Sequence, residues 1–254
     1  MRGRRALPVR TATRVLLAVA VLLALGAGAF LVWASTPLGP MPEAVAALQS
    51  GPDVRVETGQ WLVFRPAGPA PTAGYILYPG GRVDARSYAP PARAIARAGY
   101  LAVIVPMPLN LAVLGADRAD GVIAAFPAVR VWAVGGHSLG GAMAARYANR
   151  HRTAVRALDL WAAYPAERED LNASGLRVLS QFGTRDGVAA PAAVVAARPR
   201  LPPGADFRAI EGGNHAQFGS YGPQPGDGTA TISREAQQAQ VVAATVGLLG
   251  LLGP

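Results

Sequence analysis

The stretch Val131-Trp132-Ala133-Val134-Gly135-Gly136-His137-Ser138-Leu139-Gly140-Gly141, followed by the small-residue run 142–149, decides how this chain folds. Residues 131–134 are apolar and read as a buried strand, and residues 142–149 read as a helix. Between them, Gly136-His137-Ser138-Leu139-Gly140 fits the Gly-x-Ser-x-Gly turn of a nucleophile elbow. So tight a turn brings its limbs together until a Cβ two residues before or after the serine would clash, and glycine stands at both places. The turn lifts Ser138 Oγ above the sheet edge. It also leaves the Leu139 N–H at a helix N-terminus, where free donors and the helix dipole favour an anion. Ser138 is therefore the candidate nucleophile.

The 254 residues suffice for one domain with a full core. All 24 basic residues are arginine, and five of them (2, 4, 5, 10 and 14) precede the first acidic residue, Glu43. Without those five, 19 basic residues face 15 acidic ones, and the net charge of +9 falls to +4. No basic stripe with interleaved aromatics lies beyond that leader, so nucleic acid is not an expected partner. Residues 15–34 carry no charge over twenty positions, enough for a helix to cross the hydrocarbon core. With the basic flank ahead of it, the positive-inside rule places the remainder outside the cell. The expected organisation is a basic cytoplasmic leader (1–14), a transmembrane anchor (15–35), a linker (36–53) and a catalytic domain (54–254). A cleaved signal peptide and a secreted domain form the competing reading, because Ala27-Gly28-Ala29 resembles a cleavage site; the apolar run nonetheless continues through Trp33. With no cysteine, no disulfide framework is available.

Segments 54–57 and 61–64, around Thr58-Gly59, read as two antiparallel lead strands preceded by a short linker helix at 42–48. Strands at 75–78, 101–105, 131–134, 157–162, 177–182 and 207–210 then alternate with helices at 91–98, 112–124, 142–149, 191–197 and 233–252. That alternation predicts an α/β fold with a mostly parallel sheet flanked by helices.

A serine nucleophile needs a base, and the base needs an acid to orient it. Of the three histidines, His137 adjoins the serine, and neighbouring side chains in so tight a turn point apart. His151 lies thirteen residues on, at the far end of a helix rising about 1.5 Å per residue. His215, in Glu211-Gly212-Gly213-Asn214-His215 after the last strand, is left as candidate base. Asp186, in Gly183-Thr184-Arg185-Asp186-Gly187, is the candidate acid; Glu167, Glu169 and Asp170 are alternatives in a charged run that reads as a solvated face. The order Ser138, Asp186, His215 suits a nucleophile elbow. Two oxyanion donors are expected, the N–H of Leu139 and that of Gly81 or Arg82 in Tyr78-Pro79-Gly80-Gly81-Arg82. Candidate substrate contacts are Tyr78, Asn110, Gln217 and Tyr221, with Asn110 equally suited to cap the next helix. Three scattered histidines and no cysteine suggest no metal site, and the chemistry calls for no cofactor.

Tyr78-Pro79-Gly80-Gly81, the Gly136–Gly141 elbow, Gly183-Thr184-Arg185-Asp186-Gly187 and Gly213-Asn214-His215-Ala216-Gln217-Phe218-Gly219 together resemble the α/β-hydrolase superfamily. The resemblance is strongest to its alpha/beta hydrolase fold-5 group, which is similar to dienelactone hydrolases, and covers residues 61–252. It implies an eight-stranded-type sheet, a Ser-Asp-His triad and cleavage of a carboxylic ester or thioester. Dienelactone hydrolases carry a cysteine nucleophile where this chain has Ser138. The resemblance also implies a place for a lid between the strands at 157–162 and 177–182, but residues 164–175 are too few for a lid domain. An open site follows, unless the loop 218–228 covers it. Two alternatives keep the fold: the same triad passing its acyl group to another acceptor or to peroxide, and a membrane-anchored binding protein without turnover.

Overall fold

The computed structural model describes residues 9–253, so the arginines at 2, 4 and 5 lie outside the described residues. Eight strands form one sheet: β1 (Val54–Thr58), β2 (Leu62–Pro66), β3 (Ala73–Tyr78), β4 (Leu101–Ile104), β5 (Val131–His137), β6 (Ala157–Trp161), β7 (Arg177–Gly183) and β8 (Asp206–Ile210). The spatial order is β1-β2-β4-β3-β5-β6-β7-β8. Only the β1–β2 and β2–β4 pairs are antiparallel; every neighbour from β4 to β8 is parallel. The helices are α1 (Val9–Ser35), α2 (Pro42–Ala46), α3 (Ala89–Arg97), α4 (Ala119–Ala125), α5 (Leu139–Arg150), α6 (Pro191–Ala196) and α7 (Arg234–Gly250).

Because side chains alternate along a strand, β3 feeds two cores at once. Ile76 and Tyr78 pack with Val122 of α4 and Ala144 and Tyr147 of α5, while Tyr75 and Leu77 pack with Ile95 of α3 and Val241 and Leu248 of α7. All six β3 residues are buried, as a central parallel strand covered on both faces requires. Parallel strands bring their C-terminal ends to one edge, where α/β sheets present their functional loops. The loops after β3, β5, β7 and β8 meet there.

The helix expected over 112–124 is broken. A 3₁₀ turn at Ala112–Leu114 and α4 flank Gly115, whose φ of −152° and ψ of 32° lie outside the helical region. A Cβ at Gly115 would stand 3.0 Å from Pro108 Cδ and from Arg118 Cδ, so the chain folds closely over its own preceding turn. The apolar spacing suited a helix, but tertiary packing at one glycine prevailed. The linker, with its short helix α2, is docked on the domain: Leu38 bridges Val83, Met41 N–H donates to Ser220 O at 2.8 Å, and Ala44 is fully buried. Within α1, the span Thr13–Ser35 contains an 18-residue window of mean hydropathy 2.8, none of it buried; it is long and apolar enough to cross a membrane.

The elbow's steric demand shows in how closely its two limbs approach. A Cβ on Gly136 would lie 2.6 Å from Gly140 C and 2.7 Å from Tyr78 O, and one on Gly140 would overlap the Tyr78 and Pro79 carbonyl oxygens. Backbone cannot yield as a flexible side chain can. Gly140→Ala should therefore cost about 3 kcal/mol in a urea-unfolding comparison, and an unchanged midpoint would show that the turn is looser than described.

Candidate active site

Strand β5 ends at His137, and Ser138 follows with φ 51° and ψ −122°. A non-glycine residue there stores about 1–3 kcal/mol of strain. The Ser138 N–H donates to Trp161 O at 2.9 Å, which ties the turn to β6, and the Ser138 carbonyl accepts from Ala142 in the first turn of α5. Ser138 is partly exposed and stands on the wall of a cavity of about 360 Å³ with Leu139, Ala142, Tyr164, Val188 and Ala189. The wall is apolar apart from the hydroxyls and backbone. A larger groove of about 500 Å³ between α3 and α7 is lined by Pro91, Ala94 and Val242 among others, with no serine, threonine or histidine.

His215 and Asp186 meet in a pair that is wholly buried, with Nδ1 2.8 Å from Oδ2. The other carboxylate oxygen of Asp186 accepts the N–H groups of Val188 at 2.8 Å and Ala189 at 2.7 Å, so the carboxylate is fixed from both sides. The His215 ring lies 4.4 Å, centroid to centroid, from that of His137, next to the serine. Its Nε2 is buried and makes no hydrogen bond among the described residues, to Ser138 Oγ included. Such contacts are often long in the absence of substrate.

His137 is buried, and its Nδ1 sits 2.8 Å from the Tyr88 hydroxyl. That hydroxyl accepts the Gly80 N–H at 2.9 Å, so its single proton is free to go to His137 Nδ1. Burial, and secondly the neighbouring His215, hold the His137 pKa well below the ordinary histidine value. The ring is neutral at pH 7. It also explains Gly80, where a Cβ would fall 2.8 Å from His137 Nδ1 and 2.9 Å from the Tyr88 oxygen.

Of the expected oxyanion donors, Leu139 and Gly81 stand side by side: a Cβ on Gly81 would be 3.0 Å from Leu139 Cδ2. Among the described residues neither N–H has a hydrogen-bond acceptor, that of Leu139 because it opens α5. Arg82 is excluded as a donor, since its N–H is spent on the Asn110 carbonyl at 2.8 Å. Each of the four expected substrate contacts makes a side-chain hydrogen bond within the protein, although the buried Gln217 Oε1 has no partner among the described residues. The Tyr78 hydroxyl is buried, donating to Ala116 O and accepting from Ala119 N–H. Asn110 caps α1, with Nδ2 2.9 Å from Ala34 O. Gln217 Nε2 donates to Ile232 O, and Tyr221 is buried with its hydroxyl on Gln224 Oε1. The loop 218–228 bonds the backbone of His215 and Ala216 through Asp227, and none of its residues lines the Ser138 cavity. Glu169, the buried one of the alternative acids, receives Asn149 Nδ2 near the far end of α5.

One residue of this edge had no visible role in the sequence. Asp227 accepts N–H groups from His215 at 3.1 Å, Ala216 at 2.8 Å and Gly187 at 3.2 Å, stitching the Asp186 loop to the His215 loop. Between Gly226 and Gly228 it reads as an ordinary turn residue.

A mostly parallel eight-stranded sheet with a strained serine at the tight turn between a central strand and the next helix defines the α/β-hydrolase class. The chain belongs to the alpha/beta hydrolase family, whose model matches residues 74–239. No curated protein matches the sequence. Among solved structures it is similar to a predicted CIB-like hydrolase from Thermoplasma acidophilum (16% identity, TM-score 0.57, covering 78% of this chain and 99% of that one). It is also similar to a membrane phospholipase A described as a bacterial virulence factor (17%, 0.58, 92% and 99%) and to the thermophilic esterase Est2 of Thermogutta terrifontis (14%, 0.53, 80% and 95%). At such identities these likenesses speak for the fold.

Proposed function

We propose that this chain is a serine hydrolase that cleaves carboxylic ester or thioester bonds through an acyl-enzyme. The observation that carries the reading is the buried His215–Asp186 pair, 2.8 Å apart, beside the elbow bearing Ser138. Ser138 Oγ attacks the carbonyl carbon as its proton passes to His215 Nε2, while Asp186 holds the Nδ1 proton and stabilises the imidazolium. The N–H groups of Leu139 and Gly81 receive the oxyanion. The alcohol or thiol leaves with the proton from Nε2; water, deprotonated at the same nitrogen, then displaces the acyl group from Ser138 as the free acid. Residues 15–35 anchor the chain in the membrane with the catalytic domain outside.

A fluorophosphonate probe on the detergent-solubilised chain should form one adduct, located by mass spectrometry on Ser138. Equal labelling of wild type and Ser138→Ala would end the proposal. With a cavity of about 360 Å³ and no lid, chromogenic esters graded by acyl length should be turned over best when short; a strong preference for long chains would contradict the open site. Tyr88→Phe removes the acceptor of the Gly80 N–H and the partner of His137, loosening the loop that carries Gly81. Its kcat should fall about tenfold with KM little changed. A change confined to KM would place Tyr88 in substrate binding instead.

A further inference from the structure

The last carbonyls of a helix have no partner inside it. At the end of α1 the catalytic domain supplies them. Arg82 Nε donates to Trp33 O at 2.8 Å and its Nη2 to Thr36 O at 2.8 Å, while Asn110 Nδ2 donates to Ala34 O at 2.9 Å. The Arg82 guanidinium also lies over the Trp33 ring, 4.4 Å from its centroid. The two clamping residues are joined to each other, Arg82 N–H to Asn110 O at 2.8 Å. Both adopt left-handed backbone, φ 56° at Arg82 and 55° at Asn110; asparagine tolerates it, whereas an arginine holds it at a cost that its surroundings must offset.

This clamp sits on the oxyanion loop itself. Gly81 is one Cα step, about 3.8 Å, from Arg82, and Trp33 is the kind of residue that rests at the membrane–water interface. Beyond Asn110 on the same segment, Val113 and Leu114 are exposed, and Tyr164 and Val188 present apolar surface at the rim of the Ser138 cavity. A domain tethered only for localisation needs a loose linker; here the helix end is fastened to a loop of the site.

We infer that the clamp seats the Ser138 cavity on the bilayer surface, so that the substrate is an amphiphile resident in that bilayer, with its ester group at headgroup level. The inference rests on the hydrolase and anchor readings above. The short acyl group enters the cavity of about 360 Å³ while the alcohol part keeps its hydrocarbon in the lipid. Arg82 and Asn110 act as positioning residues.

The test uses the full chain reconstituted into phosphatidylcholine vesicles and two butyrate esters, one of a bilayer-resident long-chain alcohol and one of a water-soluble alcohol. Wild type should prefer the bilayer-resident ester. In Arg82→Gln/Asn110→Ala the ratio of the two rates should fall about tenfold or more, because the domain, though still anchored by residues 15–35, is no longer held with its cavity facing the bilayer where that ester resides. Equal loss on both esters would make the clamp merely structural and overturn the inference, as would wild-type turnover of the soluble ester alone. Turnover of neither ester, with no fluorophosphonate adduct, would remove the hydrolase reading and this inference with it.

Discussion

Ser138→Ala should lower kcat/KM for a short-chain ester by about 10⁴-fold or more, and adding His215→Ala should make it no worse. Nucleophile and base do one job, so once the hydroxyl is gone the imidazole has no proton to take. About 5.5 kcal/mol of transition-state stabilisation is at stake. Asp186→Asn should be nearly as damaging for a reason specific to this loop. One carboxylate oxygen accepts the Val188 and Ala189 N–H groups, so an asparagine would keep its carbonyl there and turn its NH₂ toward His215 Nδ1. That forces the proton onto Nε2 and removes the base, a loss of about 10⁴-fold. Circular dichroism and thermal melting would separate this from unfolding. A double variant orders of magnitude slower than Ser138→Ala would mean that His215 works independently of the serine.

The residues in these variants were legible in the sequence because each sits where local chemistry and chain order coincide. Gly-x-Ser-x-Gly is a steric rule, written by backbone contacts within five residues and seen in the Gly136 and Gly140 approaches. Asp186 and His215 follow strands whose apolar runs are plain, so their place at the sheet edge comes with the topology. What stayed hidden depends on crossings between distant segments. The Asp227 carboxylate meets two loops, Tyr88 meets both Gly80 and His137, and Arg82 meets Trp33, 49 residues earlier. Such side chains carry no periodic signal. Arg82 and Asn110 are legible as neighbours of the site, but their hold on the end of α1 is not, because an apolar helix gives no sign of where its last carbonyls will dock.

Asp159 belongs to the same hidden class and should govern stability. It sits in β6 with no exposure, Oδ1 receiving Gln181 Nε2 at 3.1 Å and Oδ2 lying 2.8 Å from Trp161 Nε1, 2.7 Å from Thr245 Oγ1 and 3.2 Å from the Tyr75 hydroxyl. One carboxyl group thereby joins β3, β6, β7 and α7. Helix α7 in turn holds the His215 loop, since Gln237 bonds both the N–H and the carbonyl of Asn214. Burial pushes the Asp159 pKa from the ordinary 3.8 up to about 6, against the pull of those four donors. A carboxyl with a raised folded pKa favours the fold while it is protonated. Its contribution is full below about pH 4 and is lost as pH rises through about 6, roughly 3 kcal/mol for a shift of some two units. Asp159→Asn keeps a carbonyl for the Oδ2 donors and cannot ionise. Urea unfolding of both proteins in the same detergent, across pH 4 to 7.5, should therefore show the asparagine variant gaining about 3 kcal/mol on wild type as pH rises, with all other carboxylates cancelling in the difference. Asp159→Leu should cost about 3–5 kcal/mol at pH 4, because it leaves buried donors with no acceptor, and since leucine cannot ionise either, that cost too should shrink by about 3 kcal/mol as pH rises. A pH-independent difference for the asparagine variant would mean that the carboxyl ionises as it does in the unfolded chain, with the four donors outweighing its burial.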